Sequence, residues 1–251
     1  MVVLVLAGIV ALLFIGYINH MLEKSKLDRA RRRAELVDRY RRCAALSEGL
    51  PGQLTTPELK QLLNRLELHA LDELVNIDRN EPKYLLRAEE LRQCISKGDE
   101  LPVNNPPLQI TTDAQVKDVR FQLESLQAQI IRGAEEKALP VEHAKQWLAQ
   151  VKHMLVHLYI EYFNNIGRQL LGQKRPGQAR LAFERAVQYL KKQKDPTPYQ
   201  QHLKQFQELF EHANALLLEQ TNAKKNGTSE LTEGLELQSF DEEWKKKQIY
   251  D

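Results

Sequence analysis

Cysteine is almost absent from this sequence, with only Cys43 and Cys94 among 251 residues and no CxxC spacing. A disulfide framework or a cysteine-based metal site needs more cysteines at closer spacing, so both are excluded. The alternation of apolar and polar residues that a half-buried strand requires is missing too. We therefore predict an all-α protein whose two thiols stay reduced in a reducing compartment.

Motifs that carry catalysis are missing as well. The sequence contains no glycine-rich phosphate loop and no nucleophile elbow. His153, His157 and Glu161 recur at four-residue spacing, which on a helix forms one face able to ligate a metal. Met154, however, stands where zinc proteases carry a catalytic glutamate. We predict no enzyme, no metal and no cofactor, and interpret these histidines as boundary or interface residues.

Charge is absent from residues 1–22, where the stretch from Val2 to Leu22 is apolar almost throughout. About 20 such residues span the hydrocarbon core of a bilayer. No basic segment precedes the stretch, and no clear small-x-small cleavage site follows it, as a signal peptide would require. We therefore expect an uncleaved, single-pass transmembrane anchor over residues 1–22.

A basic run follows the apolar stretch. Residues 23–42 hold nine Lys/Arg and four Asp/Glu, a balance of +5, which leaves −3 for the rest of a chain whose total is +2. The mildly acidic body argues against a nucleic-acid partner. Positive charge favours the cytoplasmic side, so we expect a bacterial-type inner-membrane protein with its N-terminus outside. The basic run either only stops the transfer of the chain across the membrane or also binds anionic lipid. The candidate lipid-facing residues are Lys24, Lys26, Arg29, Arg31, Arg32 and Arg33.

The membrane helix is expected to continue as a stalk, because residues 23–48 contain no helix breaker. A weak apolar stripe, interrupted at Arg41, offers a surface for coiled-coil homodimerisation, an interpretation that stays open. The stripe consists of Leu27, Ala30, Ala34, Val37 and Ala44.

Proline and glycine residues divide the rest of the chain into segments. Residues 56–98 predict a helical hairpin, with Thr55 or Thr56 as the first cap and Pro57 in the first turn. Residues 99–112 contain three prolines and predict a linker. Residues 113–222 predict a second helical domain, with its later helices near 176–193 and 197–222. Residues 223–251 are predicted to form a disordered tail. Its aromatic and acidic segment, which includes Phe240 and Trp244, either docks on another protein or on its own domain, or stays solvated.

The stretch YFNNIGRQLLGQKRPGQARLAFERAVQYL, residues 162–190, resembles a tetratricopeptide repeat. The matching positions are Phe163, Ile166, Gly167, Leu170, Ala179, Phe183 and Ala186. The family's closing proline is replaced by Lys191, and a shift of 34 residues in either direction recovers no second repeat. The resemblance implies one hairpin in which Gly167 and Ala179 allow close helix crossing while Phe183 fills the gap.

These features predict a membrane-anchored scaffold or adaptor that binds an unidentified protein through this helical surface or the tail. The residues expected on the binding face are Tyr159, Phe163, Arg168, Gln169, Arg175, Phe240 and Trp244. The alternative is a membrane-surface organiser that binds anionic lipid through the basic run and self-associates.

Overall fold

The computed structural model describes the backbone of residues 2–78 and 81–224, without the side chains of residues 1–13, 15, 99, 223 and 224. This part of the chain is all-helical, which confirms the predicted class. Its α-helices are α1 (Val2–Gly49), α2 (Pro57–Ile77), α3 (Pro82–Ser96), α4 (Asp113–Glu135), α5 (Val141–Gly172), α6 (Pro176–Lys191) and α7 (Gln200–Lys224). Short 3₁₀ turns lie at Gly52–Leu54, Gly98–Glu100 and Thr197–Tyr199.

The chain divides into two compact units. Unit 1 comprises residues 1–108 and 122–151, and unit 2 comprises residues 109–121 and 152–251. The later part of α4 and the start of α5 lie in unit 1, so the segment 113–222, predicted as one domain, has residues in both units. Sequence periodicity locates a helix but does not show which neighbours bury each end of it.

Unit 1 is built on α1, α2 and α3. The C-terminal half of α1 packs on α2, so the interpretation of residues 23–48 as a free stalk holds only for their first part. The buried positions of α1 fall at three- and four-residue spacing, as one helix face requires. They are Leu36, Arg39, Cys43 and Leu46, and the buried Leu50 follows directly after the helix. On the predicted dimer stripe, Leu27, Ala30 and Ala34 are exposed instead.

The predicted hairpin over residues 56–98 is present as α2 and α3. Thr56, rather than Thr55, caps α2, because its Oγ1 accepts a hydrogen bond from Leu59 N at 3.2 Å. Pro57 occupies the first helical position, where its missing N–H costs nothing. The leucines of α2 pack against Leu36 of α1 and Tyr84 of α3.

The proline-containing segment, predicted as a linker over residues 99–112, is neither helix nor strand over residues 101–111, and its first part is bound to unit 1. Asn105 Nδ2 lies within hydrogen-bond distance of the carbonyl oxygens of Ser47, Glu48 and Leu50, at 3.1, 3.2 and 2.7 Å. Those carbonyls belong to the end of α1, where helical partners are missing. Gly52 N also donates to Pro106 O at 3.0 Å. The segment therefore serves as a C-terminal cap for α1.

Unit 2 contains the hairpin expected from the repeat-like stretch. One apolar cluster joins α5, α6 and α7 through buried residues that include Phe163, Ala179, Phe183 and Phe206. Gly167 faces the Phe183 ring so closely that a Cβ there would lie 2.5 Å from Phe183 Cζ. The small residue at 167 is therefore required by the close approach of α5 and α6.

Helix α7 covers the hairpin on one side and presents a polar outer face. Phe206 and Ala213 are buried against α6, whereas Lys204, Glu208 and Glu211 are exposed. A lone repeat cannot bury its own faces, so a polar-faced terminal helix acts as its cap.

Among the helix positions whose side chains are described, no stretch is both long enough and apolar enough to cross a membrane. The predicted tail residues Phe240 and Trp244 lie outside the described residues.

The substitution Gly167→Ala tests the close crossing in unit 2. Because the fully buried Phe183 ring must shift to admit a methyl group, we expect a loss of about 1–3 kcal/mol in unfolding free energy. Urea unfolding followed by circular dichroism measures it. The matched control is Gly172→Ala at the end of the same helix, where no atom lies within 4 Å of the added Cβ. Equal effects of the two substitutions would contradict the crossing.

Candidate functional site

A network of charged side chains connects three helices of unit 1. Its members are Arg32, Glu35 and Arg39 on α1, His69 and Glu73 on α2, and Arg132 and Glu136 at the end of α4. Arg32 donates to Glu73 Oε2 at 2.5 Å, and Arg39 pairs with Glu136 Oε2. His69 Nε2 lies 3.4 Å from Glu73 Oε1 and 3.7 Å from Glu136 Oε2.

Arg39 is the most deeply buried member, with 2% of its surface exposed. Its Nε and Nη2 are buried and have no hydrogen-bond partner among the described residues. Burial lowers the pKa of its guanidinium, and the neighbouring Cys43 opposes that change. A guanidinium nevertheless remains charged at neutral pH, so Glu136 is needed to balance it. The same burial raises the pKa of the Cys43 thiol to about 12, which makes this thiol unreactive.

His69, Glu73 and Glu136 are the one group of three metal-ligand residues whose ligand atoms converge in the part of the chain that is described. Distances of 3.4 and 3.7 Å between ligand atoms suit a tetrahedral metal. However, Arg32 and Arg39 already supply positive charge to both carboxylates. A divalent cation would lie among these guanidinium groups and meet their repulsion. The group therefore fits a structural ion network better than a metal centre.

The predicted lipid-facing residues separate into two sets. Lys24, Lys26, Arg29 and Arg31 are exposed, and every residue from 16 to 31 is exposed. Arg32 belongs to the ion network, and Arg33 pairs with Asp78 Oδ2 at 2.9 Å. The predicted contact of these two with lipid stays a prediction, while both already pair with carboxylates where α1 meets α2 in unit 1.

The predicted binding face of unit 2 is only partly exposed. Phe163 is 2% exposed and belongs to the apolar cluster, so its prediction as an exposed residue was wrong. Tyr159 is half-buried, with its ring centroid 4.8 Å from that of Tyr189. Arg168, Gln169 and Arg175 are exposed. An aromatic residue at this helical position contributes to packing, whereas the charged end of α5 remains accessible.

The turn between α5 and α6 is basic and tightly closed. Arg175 N donates to Leu170 O and Lys174 N donates to Leu171 O, the hydrogen-bond pattern of a Schellman motif. Lys174 has a φ of 59°, a conformation in which glycine is favoured and a side chain costs about 1 kcal/mol or more. Arg168 lies just over one helical turn before Gly172, with its Nε on Asn164 Oδ1 at 2.9 Å. We call Arg168, Lys174 and Arg175 the basic turn.

The histidines of α5 pack around Tyr199. His153 Nδ1 lies 2.5 Å from Tyr199 Oη, and the His157 ring meets the rings of Tyr199 and His202 at 6.0 and 5.7 Å. Burial lowers the pKa of His157, and His202 and His153 lower it further. These contacts agree with the prediction of interface residues, since they join α5 to the start of α7.

The sequence interpretation missed the ion network entirely. Arg39 continues the three- and four-residue spacing of Leu36, Cys43 and Leu46, which is a detectable signal. Its partner Glu136 lies 97 residues away, and no local pattern connects the two.

No protein-family model, curated protein or solved structure matches this chain. The resemblance to a tetratricopeptide repeat therefore rests on residues 162–190 alone.

The substitution Glu136→Gln tests the ion network. It leaves the buried Arg39 without a counter-charge, so we expect about 3 kcal/mol less unfolding free energy. Thermal and urea unfolding measure the loss. Glu135→Gln, at the exposed last position of α4 and directly before Glu136, is the matched control and should change stability by less than about 0.5 kcal/mol. A neutral Glu136→Gln would show that the network does not support the fold.

Proposed function

We propose that this chain is a membrane-anchored helical adaptor that binds another protein. Residues 1–22 hold it in a bacterial-type inner membrane with the N-terminus outside, and the helical units lie in the cytoplasm. The observation that carries the proposal is the exposure of α1 at every position from 16 to 31, before the helix enters the core of unit 1.

The projecting part of α1 begins with exposed apolar side chains. Phe14 and Tyr17 are each 65% exposed, Met21 is 62% and Leu22 is 54% exposed. Exposed apolar clusters of this kind mark contacts with a membrane or another protein, because water solvates them poorly. Together with the apolar run from Val2, they support insertion in a bilayer.

The helix then joins the anchor to unit 1 without a break. Leu36, the first fully buried apolar residue of α1, follows Leu22 by 14 positions, which corresponds to about 21 Å along the helix axis. No glycine or proline interrupts residues 17–48. Such a connection holds unit 1 close to the membrane at a set distance, as an adaptor requires, whereas a flexible tether would not.

Binding of a protein partner is assigned to unit 2. Its repeat-like hairpin has an apolar interior and an exposed, charged end at Arg168, Gln169 and Arg175. A charged rim on a rigid helical support gives specificity and fast association. No catalytic constellation competes with this assignment among the described side chains.

A photo-reactive benzoylphenylalanine at Gln169, in the full chain in native membranes, tests anchoring and binding together. We expect one discrete covalent adduct, reduced by Arg168→Glu.

The substitutions Val10→Arg and Leu13→Arg should release the protein from carbonate-washed membranes, because each charge at the centre of a span costs about 2.5–3.5 kcal/mol.

The matched control carries the photo-reactive residue at Gln207, an exposed position of α7. The same adduct from both positions would indicate unspecific capture and would contradict a binding face at Gln169. A protein that stays in the membrane fraction with both arginines would contradict the anchor.

The second candidate function is a membrane-surface organiser, and one observation favours it. Lys24, Lys26, Arg29 and Arg31 are exposed within nine residues after Leu22, where an inserted helix would pass the lipid headgroups. Self-association through the exposed stripe of Leu27, Ala30 and Ala34 would complete this function.

Charge reversal separates lipid binding from folding. Changing Lys24, Lys26, Arg29 and Arg31 to Glu should remove co-purified anionic lipid, since each charge near the surface contributes about 1 kcal/mol. Arg32→Glu with Arg33→Glu should instead keep the lipid and lower the melting temperature, because these two pair with Glu73 and Asp78. Lipid mass spectrometry measures the co-purified lipid, and thermal unfolding measures the melting temperature. Unchanged lipid in the first variant would exclude the organiser.

A further inference from the structure

We propose that the acidic C-terminal segment of this chain, residues 229–244, docks on the basic turn of unit 2 in the same molecule. The docked segment would cover Arg168, Lys174 and Arg175, the end of the hairpin that the proposed function uses. The inference rests on that function for its regulatory meaning, because the segment would then compete with the protein partner.

Charge complementarity is the first argument. Residues 229–244 contain six carboxylates and no Lys or Arg. The acidic residues are Glu230, Glu233, Glu236, Asp241, Glu242 and Glu243. The basic turn presents three exposed cations within eight residues. Neither Arg168 nor Lys174 has a carboxylate within ion-pair distance in the described part of the chain. Their charge is therefore available to an acidic segment.

The position of the chain end is the second argument. Gln220 Nε2 donates to Lys174 O at 3.2 Å, so the last turn of α7 lies directly beside the basic turn. Helix α7 ends at Lys224, about 6 Å further along its axis. Five more residues reach Ser229 and extend by about 17 Å at most. The acidic segment therefore starts within reach of the cations and is held near them at an effective concentration of about millimolar.

The apolar content of the acidic segment is the third argument. The apolar residues interleaved with the acids, Leu235, Leu237, Phe240 and Trp244, would add contact area once the charges orient the segment.

Zero-length carbodiimide cross-linking of the full chain, read by mass spectrometry, tests the proposal. Lys174 serves as the reporter, because its amine couples only to a carboxylate in direct contact. We expect cross-links from Lys174 to residues 229–244 whose yield does not change on dilution. The yield should fall in high salt, since exposed ion pairs are screened.

Arg168→Glu with Arg175→Glu keeps the reporter and removes two of the three cations. We expect the yield from Lys174 to fall about fivefold, as the loss of two exposed ion pairs implies. The matched control, Lys191→Glu with Lys192→Glu, changes two exposed cations at the other end of α6 and should leave the yield unchanged. Equal yields in both variants would mean proximity by tethering alone and would overturn the proposal.

A second variant tests the tail without touching the folded units. Asp241→Asn, Glu242→Gln and Glu243→Gln should lower the cross-links from Lys174 to Glu230, Glu233 and Glu236. Nitrogen-15-labelled and unlabelled copies are mixed in the same experiment. Cross-links between labelled and unlabelled chains would show docking on a second copy, which overturns docking within one chain.

The outcomes separate this proposal from the proposed function. If the tail variant increases the adduct formed at Gln169, both are supported, because the tail and the partner compete. An adduct at Gln169 without any cross-link at Lys174 overturns tail docking and leaves the adaptor function standing. Cross-links at Lys174 with no adduct at Gln169 in either form overturn the adaptor function and leave tail docking standing.

Discussion

The burial of one face of α1 against α2 is the constraint on which unit 1 depends. The same 48-residue helix contains an exposed N-terminal part and a C-terminal part whose Leu36, Cys43 and Leu46 are core residues. Because both parts belong to one helix, the direction in which residues 16–31 project is set by the packing of residues 36–50. The charge network and the cap from Asn105 both stabilise this arrangement at the C-terminal half of α1.

Charged side chains are buried between the packed helices of unit 1. Arg39 lies at 2% exposure among leucines, and Glu67 of α2 at 1% exposure pairs with Arg87 of α3. Burial raises the pKa of Glu67, which the hydrogen bond and the charge of Arg87 oppose. Ion pairs of this kind contribute little net stability compared with apolar residues, but each member needs its partner. They tie α1 to α4 and α2 to α3 at defined positions, so they specify which helix faces meet.

In unit 2 the determining contact is steric rather than electrostatic. Gly167 and Phe183 complement each other across α5 and α6, and the aromatic residues Tyr159, Phe163 and Tyr189 pack beside them. Close packing of large and small residues gives one helix crossing instead of several. Charged residues occupy the exposed ends of the hairpin, at the basic turn and at Lys191 and Lys192. The hairpin thus combines an apolar interior with charged ends.

Most of the helices could be predicted from sequence, because three- and four-residue apolar spacing and proline or glycine boundaries act locally. The pair Thr56–Pro57, the turn at Pro176 and the small Gly167 each had the predicted consequence. The predictions failed where burial depends on a distant partner. Phe163 was assigned to the surface from helical position, yet it is buried in the apolar cluster and its ring lies beside Tyr189 of α6. No local pattern indicates the ion pairs of Arg32 with Glu73 and of Arg33 with Asp78 either.

The sequence by itself determined the all-helical class, the places where helices stop, the repeat-like hairpin and the apolar run before a basic run. These are properties of neighbouring residues, since hydrogen bonding, capping and amphipathic spacing act within a few positions. Only the tertiary structure decided that α1 enters the core of unit 1, that the proline segment caps it, and that α4 and α5 each contribute to two units. Those features depend on contacts between residues up to 97 positions apart, such as Arg39 and Glu136, which no local pattern encodes.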